Sequence, residues 1–136
     1  MWVEDKVLLK QAGYKLTTPR KTVLEFIKQG EHYSAKDIYE GLNGSLGLTT
    51  VYRTLELFVE LSLVRALVLL DGTVLYEYVA NKSHHHHLVC TLCGEICELD
   101  GCAVLSLERE IAKETSYQIT NHALELYGIC PQCQKF

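Results

Sequence analysis

Residues 47–79 read GLTTVYRTLELFVELSLVRALVLLDGTVLYEYV, and the spacing of their apolar residues changes partway along. Between Val51 and Val59 the apolar residues follow an i, i+4, i+7, i+8 pattern, which is typical of one helix face. Between Leu63 and Leu70, and again from Thr73 to Val79, β-prone residues flank Asp71-Gly72, a pair that favours a tight hairpin turn. The stretch therefore predicts a helix followed by a β-hairpin.

Three further helices are predicted upstream of this stretch. The first spans Val7–Tyr14, and Pro19 suits the first position of the second. Asp37 lies three residues after Ser34, which is a variant of the capping box. The predicted N-caps of the second, third and fourth helices are Thr18, Ser34, and Thr49 or Thr50. Helices followed by a hairpin in this order are the layout of a winged helix-turn-helix.

The second half of the chain has a different pattern. A polar break at residues 81–83 sets the predicted domain boundary, which gives domains 1–82 and 83–136. After it we expect an interrupted strand over Leu88–Leu99, a helix over Ala103–Thr115 and a strand over Tyr117–Tyr127. So small an α/β unit needs support from a metal and a partner subunit. The fold class is thus α+β: an N-terminal winged helix-turn-helix domain, then a small α/β dimerisation domain with structural zinc.

Composition and charge limit the function classes. The 136 residues are 48% hydrophobic, no apolar run approaches the length of about 20 residues that spans a bilayer, and the start lacks a signal-peptide layout. We therefore expect a cytoplasmic protein without a membrane role. The net charge is −4, but residues 1–82 net to zero, residues 83–136 carry −4 and residues 1–36 carry +3. The basic excess that nucleic acid requires is confined to the N-terminal end.

A recognition helix needs polar, bonding side chains opposite its core stripe. Thr49, Thr50, Tyr52 and Arg53 meet that condition at the N-terminal end of the fourth helix, the end that contacts base edges in helix-turn-helix proteins. Lys15 and Arg20 flank the start of the second helix, where contacts to a groove or to phosphates are within reach. The alternative for each set is an ordinary solvated surface, and spacing alone leaves both interpretations open.

Four of the six cysteines form two Cys-x-x-Cys pairs, Cys90 with Cys93 and Cys130 with Cys133. In a reducing compartment such pairs favour metal over disulfides, and two of them complete a tetrahedral sulfur shell that suits structural zinc. The 36 residues between the pairs exceed a simple zinc ribbon, so a folded insert must bring them together. Redox dithiols and buried free thiols are the alternatives.

Next to these pairs is the run His84-His85-His86-His87. On a strand, alternate residues share a face, so His85 and His87 point one way and His84 and His86 the other. One run can thus serve two sites, the alternative being a solvated loop. Cys97 and Cys102 are interpreted mainly as small buried hydrophobic residues, with a redox role left open.

Together these stretches resemble the ferric uptake regulator (Fur) family over about residues 7–134. The similarity is carried by GYKLTTPR at 13–20, GLTTVYRTL at 47–55, HHHHLVCTLCG at 84–94 and NHALELYGICPQC at 121–133. The resemblance implies a metal-dependent transcriptional repressor, not an enzyme, that senses iron, controls metal-uptake genes and binds a palindromic DNA operator as a homodimer. It also implies Zn²⁺ as the structural cofactor and Fe²⁺, Zn²⁺ or Mn²⁺ as the regulatory one.

Residue by residue, the resemblance implies a structural zinc on the four paired cysteines, base contacts from Tyr52 and Arg53, a minor-groove contact from Lys15 and a phosphate contact from Arg20. The implied ligands of the regulatory metal, which ties the two domains together, are His32, Glu77, His85, His87 and Glu98. A third family site is matched by His84, His86 and His122. The helix glutamate that is usual at this family site corresponds to Leu105 in this chain. Glu108, which lies one helical turn later, is the candidate substitute.

Two departures bear on the metal that is sensed. Glu77 precedes the histidine run with one residue more than the usual family spacing. Zinc-sensing relatives usually add a cysteine shortly before the run, and residues 78–83 contain none, which favours iron. Zinc-sensing and peroxide- or manganese-sensing members of the family remain alternatives. In another class, a hydrolytic zinc enzyme would need an open coordination position and a general base, for which Glu77 or Glu98 are the candidates.

Overall fold

The computed structural model describes residues 2–80, 82 and 84–135. The chain divides into two compact units, Met1–Lys82 and Ser83–Phe136, here the N-terminal and the C-terminal unit. The N-terminal unit contains α1 (Trp2–Gln11), α2 (Thr18–Ile27), α3 (Ala35–Gly41), α4 (Leu48–Glu60), β1 (Val64–Val68) and β2 (Val74–Tyr78). The C-terminal unit contains β3 (His85–Cys90), β4 (Ile96–Asp100), α5 (Val104–Thr115), β5 (Glu125–Gly128) and a short 3-10 helix (Cys133–Lys135). Among these described elements, no helix has the length and apolarity that crossing a membrane requires.

The N-terminal unit has the predicted order of helices and hairpin around one apolar core. Val51, Leu55 and Phe58 of α4 are fully buried in it, as the helical spacing predicts. Val59, the fourth residue of that pattern, lies at the edge of this face and is 37% exposed. The core cluster consists of Leu9, Val23, Leu24, Ile27, Ala35, Ile38, Val51, Leu55, Phe58, Leu63, Val64 and Tyr76.

The helix caps confirm one prediction and correct two. Ser34 and Asp37 form the capping box, each side chain accepting a hydrogen bond from the other residue's backbone N–H. In α2 the N-cap is Thr17 rather than Thr18, because its hydroxyl accepts from the N–H of Arg20. In α4 the N-cap is Gly47, which is extended and makes no side-chain cap bond. Thr49 and Thr50 therefore lie within the first turn and do not cap it.

The hairpin forms where the sequence places it. β1 and β2 pair antiparallel, with Val64 opposite Tyr78. Gly72 has φ +87°, a conformation that favours glycine, and the N–H of Thr73 donates to Oδ1 of Asp71 at 2.9 Å. An isolated bridge between Tyr33 and Tyr76 joins the chain ahead of α3 to β2.

The first helix lies earlier than predicted and is held by a buried polar network. It covers Trp2–Gln11 rather than Val7–Tyr14. Asp5 is only 1% exposed; it pairs with Lys28 and accepts a hydrogen bond from the hydroxyl of Tyr78 at 2.8 Å. The Lys28 ammonium also lies 4.8 Å from the centroid of the Tyr78 ring. A charge so deep requires such partners, and they fix α1 to the rest of the unit.

The C-terminal unit is built on a three-stranded sheet in the order β4-β3-β5. β3 pairs antiparallel with β4 and parallel with β5. The predicted interrupted strand over Leu88–Leu99 is two strands that start at His85, separated by a turn. The predicted strand over Tyr117–Tyr127 was too long, because only Glu125–Gly128 pairs with β3. None of the residues of α5 is buried, so other interactions must position this helix.

Candidate metal centres and nucleic-acid interface

The four paired cysteines meet in the C-terminal unit. Cys90 ends β3, and Gly94, with φ +80°, turns the chain so that its N–H bonds to the carbonyl of Cys90 at 2.9 Å. The parallel pairing of β3 with β5 brings the second pair alongside the first. The sulfur atoms of Cys90, Cys93, Cys130 and Cys133 all lie within 4.8 Å of one another. The folded segment between the two pairs thus brings them together, as their long separation in the sequence requires.

The spacing of these sulfurs fits a tetrahedral zinc ion. Zn–S bonds of about 2.3 Å place neighbouring sulfurs about 3.8 Å apart. The Sγ atoms of Cys93 and Cys130 are 3.8 Å apart. Zinc on this set would supply cross-linking of the two turns rather than catalysis, because four thiolates leave no open position.

Electrostatics within the cysteine cluster favour ionisation of one thiol first. Backbone N–H groups of Cys130 and Cys93 bond to the Cys90 sulfur and lower the pKa of that thiol to about 6. The adjoining Cys130 thiol, followed by burial, raises the pKa of Cys133 to about 12. Full ionisation of the set therefore needs a compensating positive charge, which a divalent ion provides.

The histidine run alternates across β3 as the strand geometry predicts. The rings of His84 and His86 pack edge to face with centroids 4.6 Å apart, and those of His85 and His87 do the same at 4.9 Å. His85, His86 and His87 are all buried. The run thus contributes to two separate groups of side chains.

The first group gathers His84, His86, His122 and Cys102. The Nε2 atoms of the three histidines lie 3.0–3.2 Å from one another. The Cys102 sulfur is 3.2 Å from Nε2 of His86 and 3.3 Å from Nε2 of His122. The family resemblance had suggested Glu108 and not Cys102 as the companion of these histidines, and Cys102 had been interpreted mainly as a small buried hydrophobic residue.

Glu108 lies outside this donor set. Its Oε1 is 2.5 Å from Nδ1 of His122, on the far side of the ring from Nε2. In the same way, Nδ1 of His86 is 3.2 Å from the carbonyl oxygen of Leu124. Partners of this kind fix the orientation and tautomer of a histidine that ligates through its other nitrogen. The sequence did not reveal Cys102 as a ligand, because a single cysteine 20 residues from His122 does not form a recognisable metal-binding motif.

The second group lies on the other side of β3, within the C-terminal unit. His87 pairs in register with Glu98 of β4, and Oε1 of Glu98 is 4.0 Å from Nε2 of His85. His87 is fully buried and His85 is 4% exposed. Two imidazoles and a carboxylate on one side of a strand are donors that suit iron, manganese and zinc.

Two more of the predicted ligands lie together in the N-terminal unit. The bridge between Tyr33 and Tyr76 places His32 beside Glu77, with Nε2 and Oε2 3.8 Å apart. Glu77 is 1% exposed, and its Oε1 accepts from the ammonium of Lys82 at 3.0 Å. A carboxylate this deep needs polar or charged partners, and the Lys82 ammonium is one of them.

The N-terminal ends of α2 and α4 form a shallow cleft in the N-terminal unit. Arg20, Thr50 and Arg53 line it. Arg20 is anchored, because it donates to the carbonyl of Lys15 at 2.7 Å and its guanidinium carbon lies 5.4 Å from the centroid of the Tyr14 ring. The cleft therefore presents two guanidinium groups, one fixed and one exposed, on the same face.

The remaining predicted DNA contacts are exposed near this cleft. Tyr52 is 45% exposed on α4, and Thr49 and Lys15 are also at the surface. Thr50 is half-buried, and its carbonyl accepts from the hydroxyl of the buried Thr54 at 2.7 Å. Side chains available for bonding thus occupy one end of α4, while the opposite side of the helix is in the core.

The model of the ferric uptake regulator family matches residues 11–127 of the chain. The chain belongs to this family. The ferric uptake regulation protein of Legionella pneumophila is 39% identical over 137 residues, covering 97% of this chain and all of that protein. The protein of the same description from Vibrio anguillarum is 40% identical over 132 residues, covering 93% and 88% respectively.

Solved Fur structures agree with the fold. The Vibrio cholerae ferric uptake regulator has a TM-score of 0.76 at 37% identity, covering 93% of this chain and 99% of that one. The Pseudomonas aeruginosa ferric uptake regulator, solved with manganese, has a TM-score of 0.73 at 31% identity, covering 90% and 95% respectively. The α+β class and the winged helix-turn-helix followed by a Fur-type second domain are therefore confirmed. The chain is a transcriptional regulator of the Fur family whose cysteine and histidine clusters have the chemistry of metal sites.

Proposed function

We propose that this Fur-family chain is a metal-dependent repressor that senses iron, acts in the cytoplasm and binds palindromic DNA as a homodimer. The observation that carries the DNA-binding role is the cleft between α2 and α4, where Arg20, Thr50 and Arg53 share one face. A guanidinium can bond to O6 and N7 of guanine together, whereas phosphate contacts carry no sequence information. The exposed Arg53 and Tyr52 are the proposed base readers.

Arg20 and Lys15 are the proposed backbone or minor-groove contacts. Arg20 suits a fixed contact because the Lys15 carbonyl and the Tyr14 ring already hold its guanidinium, so little side-chain entropy is lost on binding. The C-terminal unit carries the net charge of −4. We propose that it stays away from the duplex, since phosphates repel it.

The experiment titrates wild type, Arg53→Ala and Arg20→Ala against operator and scrambled duplex at several salt concentrations. Arg53→Ala should lose about 1–3 kcal/mol on the operator alone. Arg20→Ala should weaken both duplexes and reduce the salt slope by about one unit. Lys113→Ala, which removes the same charge from exposed α5, is the control and should change neither. Equal losses on both duplexes for Arg53→Ala would exclude base reading.

A second copy of the chain is the proposed partner. Leu88 of β3 and Leu126 of β5 are paired in register and are 37% and 45% exposed, and Ile111 of α5 is 41% exposed. Exposed apolar side chains concentrated on one small unit mark an interaction surface. A two-fold axis would present two copies of the DNA-contacting end of α4 to the two halves of a palindrome. Leu126→Glu should shift the protein to monomer in sedimentation analysis, while Leu70→Glu on the hairpin, 77% exposed, should not. A dimeric Leu126→Glu variant would place the interface elsewhere.

Two metal sites complete the proposal. Zinc on Cys90, Cys93, Cys130 and Cys133 holds the C-terminal unit together. The regulatory ion is proposed on His32, Glu77, His85, His87 and Glu98. Two of these proposed ligands belong to the N-terminal unit and three to the C-terminal unit. Such an ion favours the DNA-binding conformation only by its differential affinity for that conformation.

The regulatory site is tested by His85→Ala and Glu98→Gln, with Glu95→Gln as the matched control. Glu95 lies just before β4 and is exposed. The first two variants should retain the wild-type fold and structural zinc but require more metal to bind operator. Glu95→Gln should behave as wild type. An unchanged metal requirement in both ligand variants would exclude the site.

Iron is the proposed regulatory metal, and zinc or manganese sensing is the alternative within the family. Ligand type alone does not select iron, because the order of divalent affinities places zinc above it. Operator binding should therefore be titrated anaerobically with Fe²⁺, Mn²⁺ and Zn²⁺ on protein that keeps its structural zinc. Binding that follows Zn²⁺ alone would replace the iron assignment. The family consists of regulators rather than enzymes. If no metal produced binding to any palindrome, the result would favour the alternative function, a hydrolytic zinc enzyme.

A further inference from the structure

The side chains of His84, His86, His122 and Cys102 direct their donor atoms at one point, where the group could hold a metal ion. Nε2 of a neutral imidazole carries either a hydrogen or a lone pair. With three such nitrogens in mutual contact at 3.0–3.2 Å, at least two are of the same kind and repel each other. Hydrogen bonding among the rings alone therefore cannot satisfy the cluster.

The outer contacts identify which nitrogens repel. Glu108 and the Leu124 carbonyl are acceptors, so Nδ1 of His122 and Nδ1 of His86 are the protonated nitrogens. When both rings are neutral, their Nε2 atoms therefore direct lone pairs at one another across 3.2 Å. A proton on one ring would relieve a single pair, whereas a divalent ion relieves every contact at once.

The resemblance to the family already implies a metal site at His84, His86 and His122; we propose that in this chain Cys102 is its fourth ligand, that the ion is zinc, and that Glu108 is a positioning residue for His122 rather than a ligand. Tetrahedral zinc with Zn–N bonds of about 2.0–2.1 Å and a Zn–S bond of about 2.3 Å requires N···N distances near 3.4 Å and N···S distances near 3.6 Å. The observed sulfur distances are 3.2 and 3.3 Å. All four donors need to move outward by only a few tenths of an ångström.

The thiolate sets the metal preference of this site. Sulfur ligands favour zinc, whereas carboxylate and water favour manganese. The site should therefore take Zn²⁺ or Co²⁺ and discriminate against Mn²⁺, in contrast to the proposed regulatory site, whose donors are nitrogen and oxygen. Mn²⁺ should then occupy the proposed regulatory site alone, whereas Zn²⁺ can occupy both sites.

The position of the ligands indicates what the site does. His84 and His86 lie at the start of β3, Cys102 lies just before α5, and His122 lies in the irregular chain ahead of β5. None of the residues of α5 is buried, but Glu108 on this helix contacts His122. Zinc binding thus ties α5 to the sheet where a hydrophobic core does not.

Thiol protection tests the ligand without any substitution. Wild-type protein that keeps its structural zinc is alkylated with iodoacetamide in the presence and absence of added Zn²⁺ or Mn²⁺, and peptides are mapped by mass spectrometry. Zn²⁺ should slow alkylation of Cys102 by more than tenfold, Mn²⁺ should not, and the exposed Cys97 should react equally throughout. Equal reaction of Cys102 with and without Zn²⁺ would overturn the proposal.

Co²⁺ spectroscopy tests the same ligand directly, with zinc content monitored so that the four-cysteine site stays occupied. Wild type and Cys97→Ala should show a sulfur-to-cobalt charge-transfer band, and Cys102→Ala should lose it. A band that persists in Cys102→Ala, or the absence of a band in wild type at saturating Co²⁺, would overturn the assignment. These readouts do not involve DNA, so they succeed or fail independently of the proposed repressor function.

The positioning role of Glu108 has its own readout. Glu108→Ala should weaken Co²⁺ affinity about 10–100-fold, as loss of an outer carboxylate on a ligating histidine does, and the charge-transfer band should keep its position. Glu110→Ala on the exposed side of α5 is the matched control and should bind Co²⁺ as wild type does. Unchanged affinity in Glu108→Ala would remove the positioning role, and an altered band would make Glu108 a ligand.

Discussion

Replacement of Cys93 by serine should unfold one unit of this protein and leave the other folded. The variant removes one thiolate from the four-sulfur cluster, so the structural zinc should be lost. Structural zinc contributes an apparent 10–16 kcal/mol in small metal-dependent folds. The only buried apolar residues described in the C-terminal unit are Val89 and Cys90, and a fully buried aliphatic side chain contributes about 1.5–3 kcal/mol. This small core cannot replace the zinc.

The N-terminal unit has a different basis for its stability. Its twelve-residue core cluster contains no cysteine and no zinc ligand. We therefore expect this unit to keep its fold and its cooperative thermal transition when the zinc is lost. The same separation should follow when a strong chelator removes the metal from wild type.

Hydrogen–deuterium exchange read by mass spectrometry resolves the two units in one experiment. In Cys93→Ser, peptides from residues 84–135 should exchange almost as fast as unfolded chain, while peptides covering α2 to α4 exchange as in wild type. Cys97→Ser is the matched control, because Cys97 is an exposed cysteine of the same sheet. Protection of residues 84–135 in zinc-free Cys93→Ser would refute the reasoning, as would simultaneous loss of protection in α2 to α4.

Three further predictions concern the stability of the N-terminal unit, measured by urea unfolding followed by helical circular dichroism. Phe58→Ala should cost about 3–5 kcal/mol because the side chain is fully buried, and a loss below 1 kcal/mol would contradict its central place in the core. Ser34→Ala should cost about 0.5–2 kcal/mol by removing the capping box of α3, and no change would mean that the cap is dispensable. Asp5→Ala should cost about 3–5 kcal/mol because Lys28 and Tyr78 lose their shared buried partner. If the losses from Asp5→Ala and Lys28→Met simply add in the double variant, the two residues are not coupled and the reasoning is contradicted.

The features that were predicted correctly from sequence have short-range causes. The capping box of Ser34 and Asp37 spans three residues, and the turn at Asp71-Gly72 depends on its own backbone. The alternation of the histidine run follows from strand geometry alone. Local chemistry decides each of these, so neighbouring residues in the sequence are sufficient to reveal it.

The errors have long-range causes. The stretch 117–127 has β-prone residues, but pairing with β3 is available only to its last part, Glu125–Gly128, and propensity does not reveal that limit. Cys102 joins the histidines because the fold brings together positions up to 20 residues apart. The start of α4 at Gly47 was missed because an extended glycine can begin a helix without a side-chain cap.

A run of four identical side chains carries no information about its own alignment. If β3 slid by one residue against its neighbours, imidazoles would still point to both faces, but each would enter the opposite cluster. The feature that prevents this is at the other end of the same strand, where Cys90 is fixed among the four sulfurs. The position of Cys90 in the cysteine cluster therefore fixes the register of the strand, and with it which histidines enter which cluster.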